Sequence, residues 1–135
     1  MPWIPVIRVM EKKVINTKNA PAPIGPYNQA IITNGTIYIS GQICIDPQTG
    51  NLKNRDIQDE THQVMQNLKS ILAEAGASFN NVVKTTIFIT DMNQFSEINE
   101  IYGKYFTGDF PARETVQVSA LPKFVNVEIS MIAVE

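Results

Sequence analysis

The stretch AIITNGTIYI, residues 30–39, holds the clearest local signal in this chain of 135 residues. Two runs of β-type residues flank Asn34 and Gly35, and both of these residues accept the positive φ that a type I′ turn requires. The stretch therefore predicts a β-hairpin. Ser40 and Gly41 come next, and we expect them to end or bend the second strand.

Further elements are predicted on both sides of this hairpin. A short strand over residues 11–16 and a loop over 17–26 precede it. After it, the apolar spacing predicts a helix over 54–75, a strand over 82–90, a helix over 93–106, and strands over 112–119 and 124–134. The order β-β-β-α-β-α-β-β indicates an α+β fold with one mixed or antiparallel sheet and two helices on one face.

Three apolar residues, Tyr38, Phe88 and Ile132, lie on the parity opposite the other apolar residues of their strands. A second sheet face with apolar content needs a cover, and no predicted helix remains to supply one. We therefore expect an oligomer that is built sheet to sheet. The alternative is that these are scattered surface residues, which are common in soluble proteins.

Length and composition are typical of a single globular domain. Apolar residues make up 44% of the chain and charged residues 18%. We assign the domain to residues 10–135 and interpret residues 1–9 as an N-terminal extension. The net charge of −2 supplies no basic field for a polyanion, so nucleic acid is not an expected partner.

Cysteine and histidine each occur once, as Cys44 and His62. A disulfide within the chain is therefore impossible, and a reducing compartment such as the cytoplasm fits best. One His and one Cys are too few for a zinc site of the usual type, so no metal is expected. No apolar run approaches the length of a membrane span, and no membrane partner is expected.

Two charged residues are candidates for chemistry. Glu128 lies in the middle of a strand dominated by apolar residues, and it is either a solvated charge on a half-exposed strand or a group that positions water and accepts a proton. Arg113 follows Pro111 and opens a strand, where a directed guanidinium group can bind a carboxylate or phosphate through two hydrogen bonds. The competing interpretation of Arg113 is a surface ion pair with a neighbour.

Four other residues have side chains that could serve a function. Tyr27 is either a packed turn aromatic or a pocket wall with a hydroxyl donor. Lys84 could form an imine with a carbonyl substrate, but a solvated lysine on an edge strand is the simpler interpretation. Cys44 is interpreted as a small buried residue and His62 as a surface or boundary residue of a helix.

The stretch PARETVQVSALPK, residues 111–123, followed by VEI at 127–129, resembles the signature of the Rid (reactive-intermediate deaminase, YjgF-like) family. Other segments resemble blocks of the same family in the same order: APIGPY at 22–27, ISGQI at 39–43 and VKTTIFITDM at 83–92. The resemblance covers about residues 11–134. It implies a chorismate-mutase-like fold and a homotrimer with ligand clefts between neighbouring subunits.

The resemblance also implies an activity, the hydrolysis of 2-iminobutanoate and 2-iminopropanoate to 2-oxo acids and ammonia without a cofactor. Arg113 matches the family's substrate arginine, and Glu128 matches the acidic residue that holds or deprotonates water. Backbone groups near Ser40, Gly41 and Thr115 would complete the pocket, and Tyr27 would form its wall from the adjoining subunit. Many members have Cys at the position of Thr115 and an acid at that of Ser130, so this chain departs from the pattern twice.

Two other classes of function remain open at this stage. One is a non-catalytic trimer that binds 2-oxo acids as a sensor, or that acts as a chaperone. A sensor would need Arg113 but not Glu128, and a chaperone would need neither. The other is a ribonuclease or translation inhibitor, for which the sequence offers no basic stripe and no platform on which bases could stack.

Overall fold

A computed structural model describes residues 11–135 of the chain. The predicted extension over residues 1–9 and the predicted start of the domain at Met10 lie outside the described residues. The elements are β1 (Lys13–Ile15), β2 (Ala30–Thr33), β3 (Thr36–Gln42), α1 (Ile57–Glu74), β4 (Val82–Ile89), α2 (Phe95–Gly103), β5 (Ala112–Gln117) and β6 (Val127–Val134). The predicted α+β order is therefore confirmed.

The six strands form one mixed sheet in the order β1-β2-β3-β6-β4-β5. Every neighbouring pair is antiparallel except β4 and β5, which run parallel and are connected through α2. β6 therefore lies in the middle of the sheet although it is last in the chain, and β5 forms an edge. This order places the strand that carries Glu128 two positions away from the strand that carries Arg113.

The hairpin between β2 and β3 turns at the two predicted residues. Asn34 has a φ of 49° and Gly35 a φ of 75°, as the type I′ turn demands. Further along, β3 pairs Ile39 with Met131 and Gln42 with Ile129, so three steps on β3 oppose two on β6. The extra residue is a β-bulge at Ser40 and Gly41, which confirms the predicted bend.

Helix α1 begins and ends with ordinary capping chemistry. The Asp56 side chain accepts a hydrogen bond from the Asp59 N–H at 2.7 Å. At the other end Gly76 has a φ of 76°, and the Ala77 N–H donates to the Leu72 carbonyl at 2.8 Å. This is a Schellman motif, and it explains why the helix stops where Gly76 predicted.

The hydrophobic core lies between the two helices and one face of the sheet. The fully buried side chains include Leu68 and Ile71 from α1, Ile98 from α2, Ile87 from β4 and Ile129 from β6. Burial alternates along β4 and β6, so each strand gives every second side chain to this core.

The other sheet face, here called the open face, carries the residues of opposite parity. Tyr38 is 49% exposed, while Phe88 and Ile132 are half-buried. No helix or strand within residues 11–135 covers this face. The predicted parity is confirmed. The apolar side chains of the open face remain uncovered within one chain, and they are the reason why an oligomer was predicted.

Candidate active site

Glu128 lies on β6 between the buried residues Val127 and Ile129, and it points toward the open face. Its carboxyl group rests directly on the bulge in β3. A Cβ atom added to Gly41 would lie 2.9 Å from Cδ of Glu128, closer than real Cβ contacts come. Only glycine at position 41 therefore allows the carboxyl group its observed position.

A small cleft of about 40 Å³ surrounds this carboxyl group. Its walls come from the loop before β2, from the bulge and from the turn before β6, and they include Ile24, Tyr27, Gly41 and Pro122. Together with Glu128 these residues are here called the Glu128 cleft. Three of the residues predicted for the site, Tyr27, Gly41 and Glu128, therefore meet within one chain.

Burial raises the pKa of the Glu128 carboxyl group above its ordinary value. Among the described residues no cation forms an ion pair with it, and it accepts no hydrogen bond from them. A carboxylate of this kind is a better proton acceptor than a solvated one. The arrangement can therefore hold a water molecule and take a proton from it.

Ser40 supports the Glu128 cleft from outside. Its hydroxyl group donates to the Asn28 carbonyl at 2.6 Å, and its N–H donates to the Gln29 carbonyl at 2.9 Å. The side chain lies on the open face near Lys84, Thr86 and Ser130 and is not part of the cleft wall. Ser40 thus ties the segment after Tyr27 to the bulge.

Two buried polar residues that sequence reasoning missed also shape the Glu128 cleft, and Gln29 is the first. Its side chain accepts from the Thr17 N–H at 2.6 Å and donates to the carbonyls of Ala20 and Pro21, so it organises the loop that carries Tyr27. It is 1% exposed. A glutamine just before an apolar strand was the only signal, and it is weak without knowledge of the loop's path.

Glu60 is the second of these residues, and it is fully buried on α1. Its carboxylate accepts from the Asn126 N–H at 2.7 Å, from the Val127 N–H at 2.9 Å and from the Asn126 side-chain amide at 2.8 Å. These bonds hold the start of β6, two residues before Glu128. The signal was an acidic residue on the apolar face of a predicted helix.

Arg113 is the second residue of β5, directly after Pro111 and Ala112, so it lies at the start of a strand as its sequence position predicted. It pairs with Thr85 across the parallel ladder, so both side chains point to the helix-covered side. The guanidinium carbon lies 5.1 Å from the ring centre of Tyr102 and 5.7 Å from that of Phe95. These cation–π contacts orient the side chain. Arg113, Phe95, Tyr102 and Thr115 are here called the Arg113 edge.

Arg113 has no anionic partner among the described residues, since neither of the ion pairs there involves it. The alternative interpretation as a paired surface arginine is therefore wrong for this part of the chain. Two buried oxygen atoms, Thr115 Oγ1 and Asn99 Oδ1, likewise lack a hydrogen-bond partner. The Arg113 edge therefore holds a cation without a described counterion, which can bind a small anion, beside a buried hydroxyl oxygen without a partner.

The Glu128 cleft and the Arg113 edge do not meet within one chain. Arg113 shares its side of the sheet with buried Thr85, whereas Glu128 is paired with Phe88 on the open face. Two strand spacings separate β6 from β5, roughly 10 Å. Side chains on opposite faces of one sheet cannot close on one small ligand.

The three remaining candidates from the sequence, Lys84, Cys44 and His62, all lie outside the two regions described above. Lys84 was predicted to be a solvated lysine on an edge strand. The edge position is wrong, because β4 is an interior strand, but the side chain is 40% exposed, and its amine forms a 2.8 Å ion pair with Glu114. Cys44 is buried, and burial raises the pKa of its thiol to about 11, which makes it a poor nucleophile. His62 is exposed on α1 and hydrogen-bonded to Tyr105.

Metal-binding clusters and membrane-spanning helices are both absent from the part of the chain that the structure describes. Residues 11–135 contain no group of three or more His, Cys, Asp or Glu side chains that could hold a metal ion. No helix in the same part of the chain has both the length and the apolar character needed to cross a membrane.

Known proteins that resemble this α+β chain in sequence point to one family. The family model described as Endoribonuclease L-PSP matches residues 17–135. A RutC family protein of Pyrococcus horikoshii is 52% identical over 122 residues, which are 90% of this chain and 97% of that one. The 2-iminobutanoate/2-iminopropanoate deaminase of Mus musculus is 52% identical over 92% of each chain.

Solved structures show the same similarity in three dimensions. A Rid family protein of Yersinia pestis, YyfA, superposes with a TM-score of 0.90 at 55% identity, over 93% of this chain and all of that one. Escherichia coli TdcF with bound serine superposes with a TM-score of 0.89 at 43% identity, over 92% and 99% of the two chains. The chain belongs to the Rid (YjgF, L-PSP) family.

Proposed function

We propose that this chain is a deaminase that hydrolyses 2-imino acids, such as 2-iminobutanoate and 2-iminopropanoate, to 2-oxo acids and ammonia. One observation carries the proposal: a half-buried Glu128 carboxyl group and an Arg113 guanidinium group lie unpaired in a chain that is 52% identical to a mouse protein named for this reaction. The fit of these two groups to the substrate supports it further.

Arg113 suits the carboxylate of the substrate. A guanidinium group that is oriented by two aromatic rings and has no other anion can bind a carboxylate through two parallel hydrogen bonds. This contact fixes the position of the neighbouring C=N carbon. Fixing the carbon next to a bound water removes much of the entropic barrier to attack.

Glu128 suits the hydrolysis. It accepts a proton from the water as the water oxygen bonds to the imine carbon and the C=N π electrons move to nitrogen, giving an amino alcohol. The proton returns to the nitrogen and completes the amino group. Glu128 then takes the proton of the hydroxyl group and passes it to the nitrogen, ammonia leaves as the C–N bond breaks, and the oxygen becomes the carbonyl of the 2-oxo acid. Water is consumed and ammonia is released, so no oxidant or reductant is involved.

We propose that the site forms between two copies of the chain, with Arg113 of one and Glu128 of the other. The opposite orientation of the two side chains on one sheet supports this, as does the apolar open face. A ring of three copies with the open faces inward would repeat such a site three times. Tyr27 and Gly41 would then belong to the half that carries Glu128, and Thr115 to the half that carries Arg113.

The experiment uses Arg113→Ala and Glu128→Gln proteins. A dehydratase that releases 2-iminobutanoate is coupled to each, and 2-oxobutanoate is measured while semicarbazide competes for the imine. We expect wild-type protein to accelerate 2-oxobutanoate release and both variants to lose the effect. Arg55→Ala and Glu74→Gln, which change exposed charges away from the site, serve as matched controls that keep activity.

Mixing the two inactive proteins tests where the site is built. If equal amounts are unfolded together and refolded, the whole preparation regains about a quarter of wild-type activity, because random assembly into rings joins two intact halves at one site in four on average. No regain, despite mixed oligomers detected by mass spectrometry, would mean that the two residues do not share a site across copies. No acceleration by wild-type protein would sink the deaminase proposal itself.

The same assay separates the other functions. A sensor binds 2-oxobutanoate in an Arg113-dependent way without accelerating its release, and a chaperone does neither. A ribonuclease would need cations for a phosphate chain, but Lys84 is engaged with Glu114, which leaves Arg113 as the cation that the proposed site offers. The geometry therefore favours a small monoanionic substrate over a phosphodiester chain.

A further inference from the structure

A pocket of about 310 Å³ opens beside Arg113. Its walls come from the end of α2 and from the segment that leads into β5, and they consist of Asn99, Tyr102, Gly103, Phe110, Pro111 and Arg113. These six residues are here called the side pocket. The Glu128 cleft, at about 40 Å³, has room for little more than water, whereas the side pocket can take a larger group.

Phe110 forms the most exposed wall of the side pocket, with 63% of its surface open to solvent. The centre of its ring lies 5.8 Å from that of Phe106, and the Phe106 ring lies 4.9 Å from that of Tyr102. The guanidinium carbon of Arg113 in turn lies 5.1 Å from the centre of the Tyr102 ring. A continuous series of contacts therefore connects the exposed ring to the cation that is proposed to bind the substrate carboxylate.

Two residues at the end of α2 provide a fixed wall and free space. Tyr102 is 4% exposed, and its hydroxyl group donates to the Thr85 hydroxyl group at 3.0 Å, so its ring is held in place. Gly103 has no side chain, and a Cβ atom added there would meet no described atom within 4 Å. The side pocket is therefore rigid on its aromatic side and unfilled at its glycine.

The shape of a 2-imino acid determines where its side chain lies. The C=N carbon is trigonal, so the carboxylate, the nitrogen and the side chain lie in one plane around it, and water attacks perpendicular to this plane. Because Arg113 fixes the carboxylate, the side chain begins only two bonds away from the carboxylate carbon and stays beside Arg113. The side pocket is the space beside Arg113, and its lining is mainly apolar.

We infer that the side pocket receives the side chain of the substrate and that Phe110 is a specificity-determining residue in its wall. The inference rests on the proposed function, in which Arg113 binds the carboxylate and Glu128 handles the water. The Phe110 ring removes a long or branched apolar side chain from water, whereas an ethyl group leaves most of the ring uncovered. The site therefore favours 2-imino acids with larger apolar side chains over 2-iminobutanoate.

The test measures the binding of two product acids by calorimetry: 2-oxobutanoate, and 4-methyl-2-oxopentanoate with its larger branched side chain. We expect wild-type protein to bind the larger acid more tightly. In Phe110→Ala the Kd for the larger acid is expected to rise about five- to tenfold, as for roughly 50 Å² of apolar surface that is no longer covered. The Kd for the smaller acid stays within about twofold.

A second variant, Gly103→Leu, keeps the Phe110 ring and fills part of the side pocket. We expect it to raise the Kd for the larger acid about tenfold by crowding, with a smaller change for 2-oxobutanoate. Its Tm is expected to equal or exceed that of wild type, because leucine favours a helix more than glycine does. Phe124→Ala is the matched control, since it removes a ring that is 87% exposed and does not line the side pocket, and it leaves the ratio of the two Kd values unchanged.

An unchanged ratio in Phe110→Ala or Gly103→Leu, an equal loss for both acids, or a wild-type preference for the smaller acid would overturn the inference. So would a Phe110→Ala protein that loses the wild-type mass in light scattering, because the ring would then belong to the contact between copies. If wild-type protein binds both acids but hydrolyses no imine, the deaminase proposal fails, and the ratio still decides the role of Phe110. If wild-type protein binds neither acid, both proposals fall.

Discussion

The Glu128 cleft and the Arg113 edge present opposite charges in opposite ways. Glu128 lies on the central strand β6, pressed against Gly41 at a bulge, and burial disfavours its charge. Arg113 lies on the edge strand β5 beneath helix α2, and two aromatic rings favour its charge. Neither group has a counterion among residues 11–135. In the proposed function each region is half of a site, and this difference is the reason for proposing that two copies build it.

The largest effect is expected from Arg113→Ala. Loss of two charge-assisted hydrogen bonds to the substrate carboxylate lowers kcat/KM by about 10²- to 10³-fold. Arg113→Lys keeps the charge but not the planar fork, so its activity falls between those of wild type and Arg113→Ala. Steady-state kinetics with semicarbazide competition measure both. Equal activity of all three proteins would show that the Arg113 edge plays no part in the reaction.

Glu128→Gln comes next, with a fall in kcat of about 100-fold, the usual contribution of a general base. The same change affects stability in the opposite direction. Because burial raises the pKa of Glu128 in the folded protein, its charge costs stability once the pH is above that pKa. Glu128→Gln removes this cost, so its Tm exceeds that of wild type at pH 7.

The pH dependence of both quantities follows from the same shift. The carboxyl group is protonated in both the folded and the unfolded chain at low pH, so the difference in Tm closes as the pH falls below the ordinary pKa of glutamate. Wild-type activity falls as the pH drops through the raised pKa of Glu128, because the carboxyl group can then no longer accept a proton. Thermal unfolding and rates measured from pH 4 to 8 check both. A Tm difference that persists at low pH would contradict burial of the charge as its cause.

Gly41→Ala gives a smaller change and acts only on the Glu128 cleft. The new Cβ would lie 2.9 Å from the Glu128 carboxyl carbon, so the carboxyl group has to move. We expect kcat to fall about tenfold, in line with the sensitivity of catalysis to small displacements, with little change in Kd for 2-oxobutanoate. Gly103→Ala is the counterpart beside Arg113: a Cβ there meets no atom within 4 Å, so the Glu128 carboxyl group keeps its position and kcat changes little. A rise in Kd with unchanged kcat would show that Gly41 affects ligand binding and not the chemical step.

Thr115→Val is expected to have the smallest effect, and it acts only on the Arg113 edge. The Thr115 hydroxyl oxygen is buried without a partner, so replacing it with a methyl group raises the free energy of unfolding by about 1 kcal/mol. If the hydroxyl group binds the substrate, KM rises at the same time. Chemical denaturation and kinetics measure the two effects, and a loss of stability would mean that the hydroxyl group has a partner in the assembled protein.

Local chemistry explains why the fold could be predicted so far. The β2–β3 turn, the end of α1 at Gly76 and the alternation along β6 each depend on a few neighbouring residues. Lys84 shows the limit of such reasoning. Its strand was predicted, but whether a strand is an edge or an interior one depends on pairing with β5 and β6, which are distant in the chain.

The candidate site shows the same division. Arg113 and Glu128 were selected from residue type, strand position and family resemblance, all of which the sequence contains. The supporting roles of Gln29 and Glu60 could not be predicted, because their hydrogen-bond partners are up to 67 residues away along the chain.

The sequence by itself determined the order of elements, the membership in the Rid family and the two charged residues on which the proposed chemistry depends. These follow from short-range propensity, periodicity and motif. Only the tertiary structure decided that β6 lies at the centre and β5 at the edge, and that Arg113 and Glu128 point to opposite faces. Such relations arise from long-range strand pairing, in which a shift of one residue reverses the face of every side chain.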